Sequence, residues 1–411
     1  MSHRADEHAS LFRVKPFVLM FTTRVSTTTA NQMFGVAAGW HVYEATSSPF
    51  LLGLSGLAQF LPPLLLTLYA GQQADFRDRR MILRTCYAVE FCVAISLMIL
   101  SGASTLWLPM FYGLLFVNAI ARTFEGPSLQ SLLPLVVPRA ILGRAVATNS
   151  VAGRLSQLIG PTTGGLLFAW SPQAVYFACA SLVLIAGVAS NFLPASPPAP
   201  IGEGSEKPSM FGGLKFIWSS KPLLGAMSLD LTATLFGGVT ALLPIFARDI
   251  LEIGPWGFGI LRSTPALGGL LTALILSRFP LGRRGGWFIF IGMSVYGVGT
   301  ILFALSNMVA LSIFLMFMVG MGDMLSGVTR QTLIQVMAPD DTRGRVIAVN
   351  GLFNNTAGQL GAFESGIAAE LLGAQGAVLF GGIAVLSVTM LWVRLFPELH
   401  SLDWRKQVMG R

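Results

Sequence analysis

Charge is what this chain has least of. Only 11% of its 411 residues are Asp, Glu, Lys or Arg, less than half the share of about 25% usual in soluble proteins. A soluble chain of this length would need two or three domains and a charged surface to cover them, and the charge for that surface is missing. Cysteine is almost as scarce. Cys86, Cys92 and Cys179 all fall in apolar stretches, which makes them small buried hydrophobes rather than a disulfide or metal site. The four histidines, at 3, 8, 41 and 400, cannot supply a His-x-x-x-His zinc site or the partner of a Gly-x-Ser-x-Gly nucleophile. No Gly-Lys pair occurs, so the phosphate loop of an ATP-driven pump is absent. Neither an enzyme, a cofactor nor a metal is expected.

What the chain does have is apolar length. Hydrophobic residues make up 53%, with 45 glycines besides, and long apolar stretches recur evenly. A spanning helix needs about 20 mostly apolar residues, and roughly a dozen fit. The long runs favour helices over an outer-membrane barrel, whose strands alternate over short segments. The expected fold is an all-α membrane protein with twelve transmembrane helices. They are predicted at 16–43, 50–73, 81–102, 106–134, 143–169, 173–193, 221–248, 256–277, 286–305, 308–336, 344–371 and 374–396. The first span is too long for a cleavable signal, carries Arg24 and lacks a small-residue cleavage site.

The basic residues orient these spans. With twelve spans, 21 of the 27 Lys and Arg residues fall on one side. They are Arg4, Arg13, Lys15, Arg77, Arg79, Arg80, Arg84, Arg139, Arg144, Lys207, Lys215, Lys221, Arg278, Arg283, Arg284, Arg343, Arg345, Arg394, Arg405, Lys406 and Arg411. Arg24, Arg122, Arg154 and Arg330 lie inside spans, and Arg248 and Arg262 are read as flanking a loop on the other side. This asymmetry places both termini in the cytoplasm. The net charge of +8 therefore reads as an orientation and headgroup signal, not a nucleic-acid footprint, which would need a clustered basic face.

The chain also repeats itself. Pro138-Arg-Ala-Ile-Leu-Gly-Arg-Ala-Val-Ala-Thr-Asn149 and Pro339-Asp-Asp-Thr-Arg-Gly-Arg-Val-Ile-Ala-Val-Asn350 share Pro, Gly, Arg, Ala and Asn without a gap, 201 residues apart. Further along, Gly160 matches Gly361 and Gly165 matches Gly366. Between the copies, residues 194–208 carry Pro194, Pro197, Pro198, Pro200 and Pro208 among small polar residues, as a linker does. Met210 to Leu224 mixes Phe211, Phe216 and Trp218 with Lys215 and Lys221, the composition of a short interfacial helix. The predicted organisation is an N-terminal six-helix bundle over 1–193, a cytoplasmic linker with interfacial helix over 194–220, a C-terminal six-helix bundle over 221–396 and a cytoplasmic tail over 397–411. Six helices plus six in parallel repeat is an architecture of transporters that rock two halves about a midplane site.

Three motifs carry a resemblance. Gly71-Gln-Gln-Ala-Asp75-Phe-Arg77-Asp78-Arg79-Arg80 resembles the Gly-x-x-x-Asp-x-x-Gly-Arg-Arg loop of the major facilitator superfamily, with Asp78 where glycine is usual. Gly71, Asp75, Arg79 and Arg80 would form a charge latch that holds one conformation closed. The second-half loop, Ser277 to Arg284, keeps only the basic part. Gly160-Pro161-Thr-Thr-Gly164-Gly165 resembles the core of that superfamily's antiporter motif, although Ala147 and Ser156 fill earlier glycine positions; the alternative is a packing seam. Arg122-Thr-Phe-Glu125-Gly126 is similar to an Arg-x-x-Gln-Gly element, with Glu for Gln.

Most of the chain has a narrower resemblance. Arg24, the Pro138 loop running into Gly160-Pro161, Gly213-Leu-Lys-Phe before Pro222, and Gln331-Thr-Leu-Ile-Gln335 followed by Pro339 and Arg343-Gly-Arg345 are similar to the enterobactin-exporter-like branch. That branch exports siderophores, macrolides or other small amphipathic molecules. The resemblance implies the major facilitator fold, two pseudo-symmetric bundles, a small-molecule substrate, protons as coupling ion, a lipid bilayer around a monomer, and the inner membrane of a bacterium. The rival within the superfamily is a proton-coupled importer of a small nutrient; a membrane scaffold would have no use for acids near the midplane.

Ionisable residues inside spans are costly and mark function by default. Asp323 lies midway along the tenth span, and Arg122 occupies the equivalent place one repeat earlier. Within the resemblance the first, fourth, seventh and tenth spans line the central cavity, so Asp323 is the leading proton-coupling acid and Arg122 its partner or a substrate contact. A static ion pair or a solvated acid is the bland alternative. Asp230 in the seventh span is the second candidate, Glu125 the third, and Arg24 could meet an anionic group. Glu90 and Glu364 are read as structural, and His41 as a headgroup-level side chain.

Overall fold

The computed structural model describes residues 11–102, 107–138, 141–194, 210–279 and 285–401. Most of the proline-rich linker, the end of the tail and the side chain of Asp75 lie outside the described residues. Among those described, the chain is helical and has no strand. The helices are α1 Lys15–Thr46, α2 Pro49–Phe76, α3 Arg79–Leu100, α4 Leu108–Val136, α5 Leu142–Trp170, α6 Pro172–Asn191, α7 Met210–Ser219, α8 Lys221–Phe236, α9 Val239–Ile245, α10 Gly254–Arg278, α11 Trp287–Leu305, α12 Val309–Met337, α13 Asp340–Leu395 and α14 Pro397–Ser401. Among the described residues, eight helical runs are long and apolar enough to cross a membrane. α1, α4 and α5 are not among them: α1 carries Arg24, α4 carries Arg122 and Glu125, α5 carries Arg144 and Arg154, and each adds small polar residues.

Three local details differ from the predicted spans. The seventh breaks at Gly237–Gly238, so that α8 and α9 are separate and α9 continues into a π-turn at Phe246–Ile250. Gly373, with φ of 73°, interrupts α13 between the last two predicted spans, in a conformation that favours glycine. Arg262 does not flank a loop but sits two turns inside α10. Large apolar side chains such as Leu65, Ile99, Trp170 and Phe177 point outward, a surface suited to lipid rather than water.

The described chain forms two compact units. The first comprises Met1–Ser47, Leu57–Ile201 and Gly254–Ser263; the second comprises Ser48–Gly56, Gly202–Ile253 and Thr264–Arg411. In the first, α1 packs on α5 and α6, and α3 packs on α6 and α4. Leu83, Tyr87, Leu132 and Val136 join Phe17 and Met20 in its core. In the second, α11 packs on α12 and α13, and α8 packs on α13, around Leu223, Ile289, Ile334 and Val346. α14 is tied to the start of α8 by Lys221 and Glu398 at 3.2 Å. A bond to its own backbone and the Lys221 ammonium hold the Glu398 carboxyl below the usual carboxylate range, but an exposed pair of this kind adds little stability.

Each unit is sealed by glycine against backbone, and the two seals repeat. A Cβ on Gly160 of α5 would lie 2.5 Å from Gln32 Cβ of α1, and one on Gly164 would lie 2.9 Å from Met33 Cα. The matching Gly361 of α13 would meet the carbonyl oxygens of Thr234 and Leu235 at 2.7 Å. On the other face, Gly165 meets Pro255 and Gly259 of α10, and Gly366 meets Pro49 and Gly53 of α2. Pro49-x-x-x-Gly53 and Pro255-x-x-x-Gly259 are thus a further repeat, seen only once their partners are known. Gly160→Ala is expected to lower unfolding stability in detergent by about 1–3 kcal/mol, the usual cost of overpacking. Gly153→Ala in the same helix, where a Cβ meets nothing within 4 Å, is expected to leave it unchanged or raise it by up to about 1 kcal/mol. Equal melting curves for the two variants would refute the seal.

Candidate functional site

In the second unit, the break between α8 and α9 creates the site. Two adjacent glycines leave the helix weak, and neither could hold a side chain. A Cβ on Gly237 would lie 2.6 Å from the Tyr296 hydroxyl, and one on Gly238 would strike Ser365 Oγ. The carbonyl of Gly237 accepts a hydrogen bond from Tyr296 Oη at 2.5 Å, which satisfies a backbone group that lipid could not. The break opens on a cavity of about 200 Å³ whose lining includes Thr234, Gly237, Thr240, Tyr296, Gly320 and Asp323. Asp323 is exposed to it, and its charge is felt at the Tyr296 hydroxyl. An interrupted helix beside a midspan acid is the form of site that transporters build from broken helices.

Asp230, two turns before the break, is engaged elsewhere. It is ion-paired to Arg330 of α12, and both are buried. In the sequence Arg330 is only an intramembrane arginine with no role attached. A buried pair of this kind satisfies both charges but makes each dependent on the other.

The first unit gathers the remaining candidates. Arg24 and Thr27 on α1, Tyr87 and Glu90 on α3, and Arg122 and Glu125 on α4 form one polar cluster. Tyr87 Oη donates to Glu125 Oε1 at 3.4 Å, Thr27 also hydrogen-bonds Glu125, and the charges of Arg122 and Arg24 reach it. Among the described residues Arg24 Nε is buried without a hydrogen-bond partner, while Arg122 is exposed. Glu90 is buried against this group, a placement with no signal in the sequence, since it depends on the rotation that turns α3 and α4 toward each other. His41 is packed inside the unit among the rings of Phe111, Phe168 and Tyr176, with Nδ1 at 3.2 Å from Tyr176 Oη.

The two motifs are also built into the first unit. Gly160, Gly164 and Gly165 form the seal described above, and Pro161 is buried with them in α5. In the Gly71–Arg80 loop, Asp78 caps α3 by accepting from Arg80 N at 3.0 Å. Its φ of −61° needs no glycine, so the departure from the resembled loop gains a helix cap. Arg79 Nε donates to the Ala74 carbonyl at 3.0 Å, and Arg80 Nη1 to the Leu193 carbonyl at 3.0 Å, so both arginines serve helix C-terminal ends. A Cβ on Gly71 would meet nothing within 4 Å.

A family model described as transmembrane secretion effector matches residues 8–408. The chain belongs to this family of major facilitator transporters. Among the relatives of this transporter, the multidrug efflux pump Tap of Mycolicibacterium fortuitum is 25% identical over 94% of this chain and 97% of its own length. The enterobactin exporter EntS of Shigella boydii serotype 4 (strain Sb227) is 27% identical over 95% of this chain and 94% of its own. A solved structure of a bacterial homologue of the human lysosomal transporter Spinster superimposes with a TM-score of 0.75 at 12% identity, covering 98% of this chain and 99% of that one, which shows the shared fold. This is therefore a multi-pass membrane transporter of small molecules, of bacterial type, and not an enzyme.

The Asp230–Arg330 pair yields a stability prediction for the transporter. Arg330→Met alone leaves a buried carboxylate unpaired and is expected to cost about 3–5 kcal/mol. Asp230→Leu combined with Arg330→Met is expected to recover most of that loss. Thermal unfolding of the purified variants in detergent measures both, and a single variant that melts like the parent chain would show that the pair does not hold α8 to α12.

Proposed function

We propose that this transporter exports a small amphipathic molecule, such as a siderophore or drug, across the inner membrane of a bacterium in exchange for protons. It would act as a monomer of twelve spans in two six-helix bundles, with both termini cytoplasmic, by alternating access. The observation that carries the reading is Asp323, an intramembrane acid opening on a cavity at a broken helix. Asp323 would take up and release the coupling proton, Arg122 would hold the equivalent place in the first repeat, and Tyr296 would cap the broken helix beside the acid. Arg24 and Glu125 would supply the charge of the first unit, and Asp230, paired to Arg330, that of the second. Several similar proteins bear efflux names, among them Tap, the macrolide efflux protein A of Streptococcus pyogenes and EntS, which supports export over import. The Gly71–Arg80 loop would act as a conformational latch, and Gly160, Pro161, Gly164 and Gly165 as an antiporter-type seal.

Expression in efflux-deficient cells tests this against a panel of siderophores, macrolides and dyes. Cells carrying the parent chain are expected to accumulate less of at least one compound, and dissipating the proton gradient is expected to abolish the difference. Asp323→Asn is expected to lose efflux while its protein level and melting curve stay normal. If Asp323→Asn kept both efflux and its gradient dependence, the coupling role of this acid would be lost. Gradient-driven accumulation in vesicles of native orientation would instead establish import.

A further inference from the structure

The acid cluster of the first unit holds two carboxyls where one would serve a static ion pair. Glu90 of α3 and Glu125 of α4 are 3% and 6% exposed, and each carries the other's electrostatic influence or that of the same arginine, Arg122. Their surroundings are unequal. Glu125 has two hydroxyl partners, Tyr87 and Thr27, and two cations, Arg122 and Arg24, the set of donors that an ionised carboxylate requires. Among the described residues, the charges that reach Glu90 are those of Glu125 and Arg122, and its Oε1 is buried with no hydrogen-bond partner. An ionised oxygen left without a donor in this environment is costly, and two neighbouring carboxylates cannot both ionise cheaply. Cys86 and Tyr87 are the other titratable groups of α3 beside them.

We propose that Glu90 and Glu125 share one exchangeable proton and form a proton-binding site of the first unit, separate from Asp323. When the site loads, an O–H bond forms on a Glu90 oxygen as a hydronium ion gives up its proton and leaves as water. When it unloads, that bond breaks, water takes the proton, and the guanidinium of Arg122 balances the second negative charge. Cys86, one helical turn before Glu90, lines an apolar groove of about 400 Å³ between α2, α3 and α4, which lets an apolar carboxyl reagent approach from the lipid. The purpose assigned to the site, a second coupling proton, rests on the proton-exchange reading above; its existence does not.

The test uses the purified full chain in lipid vesicles. Infrared difference spectra recorded as pH is stepped are expected to show a carboxylic-acid C=O band that rises and falls with pH. Glu90→Gln is expected to remove it, Glu125→Gln to shift its midpoint or remove it, and Asp323→Asn to leave it in place. Dicyclohexylcarbodiimide, followed by peptide mass spectrometry, is expected to modify Glu90 more at low pH than at high pH, and less in Glu125→Gln. Because Glu→Gln keeps shape, matching melting curves guard against misfolding; if Glu90→Gln does not fold, labelling of Glu90 in the parent chain decides the matter. Recorded in an Asp323→Asn background, so that this acid contributes no band, a titrating band that survives Glu90→Gln would overturn the site, as would labelling of Glu90 that ignores pH. If the band behaves as expected but transport ignores the proton gradient, the coupling reading falls and the site stands. Gradient-driven transport without a Glu90-dependent band would leave the coupling reading standing and remove the site.

Discussion

Close approach of backbone to backbone at glycine is the contact on which this structure depends. Inside a bilayer the lipid is as apolar as leucine, so helices gain little by hiding apolar faces and must be held by fit and by weak Cα–H···O contacts. In the first unit α5 meets α1 through Gly160 and Gly164, and meets the start of α10 through Gly165. In the second, α13 meets α8 through Gly361, and meets the start of α2 through Gly366. The self-similarity at a spacing of 201 residues is thus a repeat of contacts as well as of letters. The glycines of the antiporter-like motif are part of this repeat. Those glycines do pack as a seam, and any conformational role they have must act through that seam.

Once backbones are fixed at these contacts, every polar group in the membrane must find its partner locally. The two units solve this differently. The second breaks a helix and caps the exposed carbonyl of Gly237 with Tyr296, then ties Asp230 to Arg330. Its other midspan acid, Asp323, opens on the cavity instead. The first keeps its helices whole and places two arginines, two hydroxyls and two carboxyls in one cluster. Equivalent positions, Arg122 and Asp323, carry opposite charge, so the repeat is one of backbone and not of chemistry.

Much of this is legible in the order of residues, and the parts that are not share a cause. Apolar length locates helix ends to within a few residues, and the interruption at Gly373 falls between two predicted spans. The break at Gly237–Gly238 is hidden because the stretch stays apolar on both sides, and hydropathy averages over a turn. Arg262 looks like a loop residue because an arginine near a span end and one two turns inside read alike. Glu90 reads as structural because whether it meets Glu125, 35 positions later in the chain, depends on how two helices are rotated. Composition reports length; it does not report azimuth.

α1 and α4, which carry Arg24, Arg122 and Glu125, are too polar for composition alone to place them in a membrane. α1, α4 and α5 fall outside the eight runs that composition alone would insert. A helix with Arg24, or with Arg122 and Glu125, bears an insertion cost of several kcal/mol that only neighbours can offset. α1 finds them in α5 and α6, and α4 in α3. Function and packing are therefore coupled: the charges are tolerated because the glycine seams and aromatic contacts hold α1 in place. A looser seam would leave the polar cluster facing lipid. The glycines that permit the closest contacts thus also permit the most polar helices, and a transporter with this site has little freedom to vary one without the other.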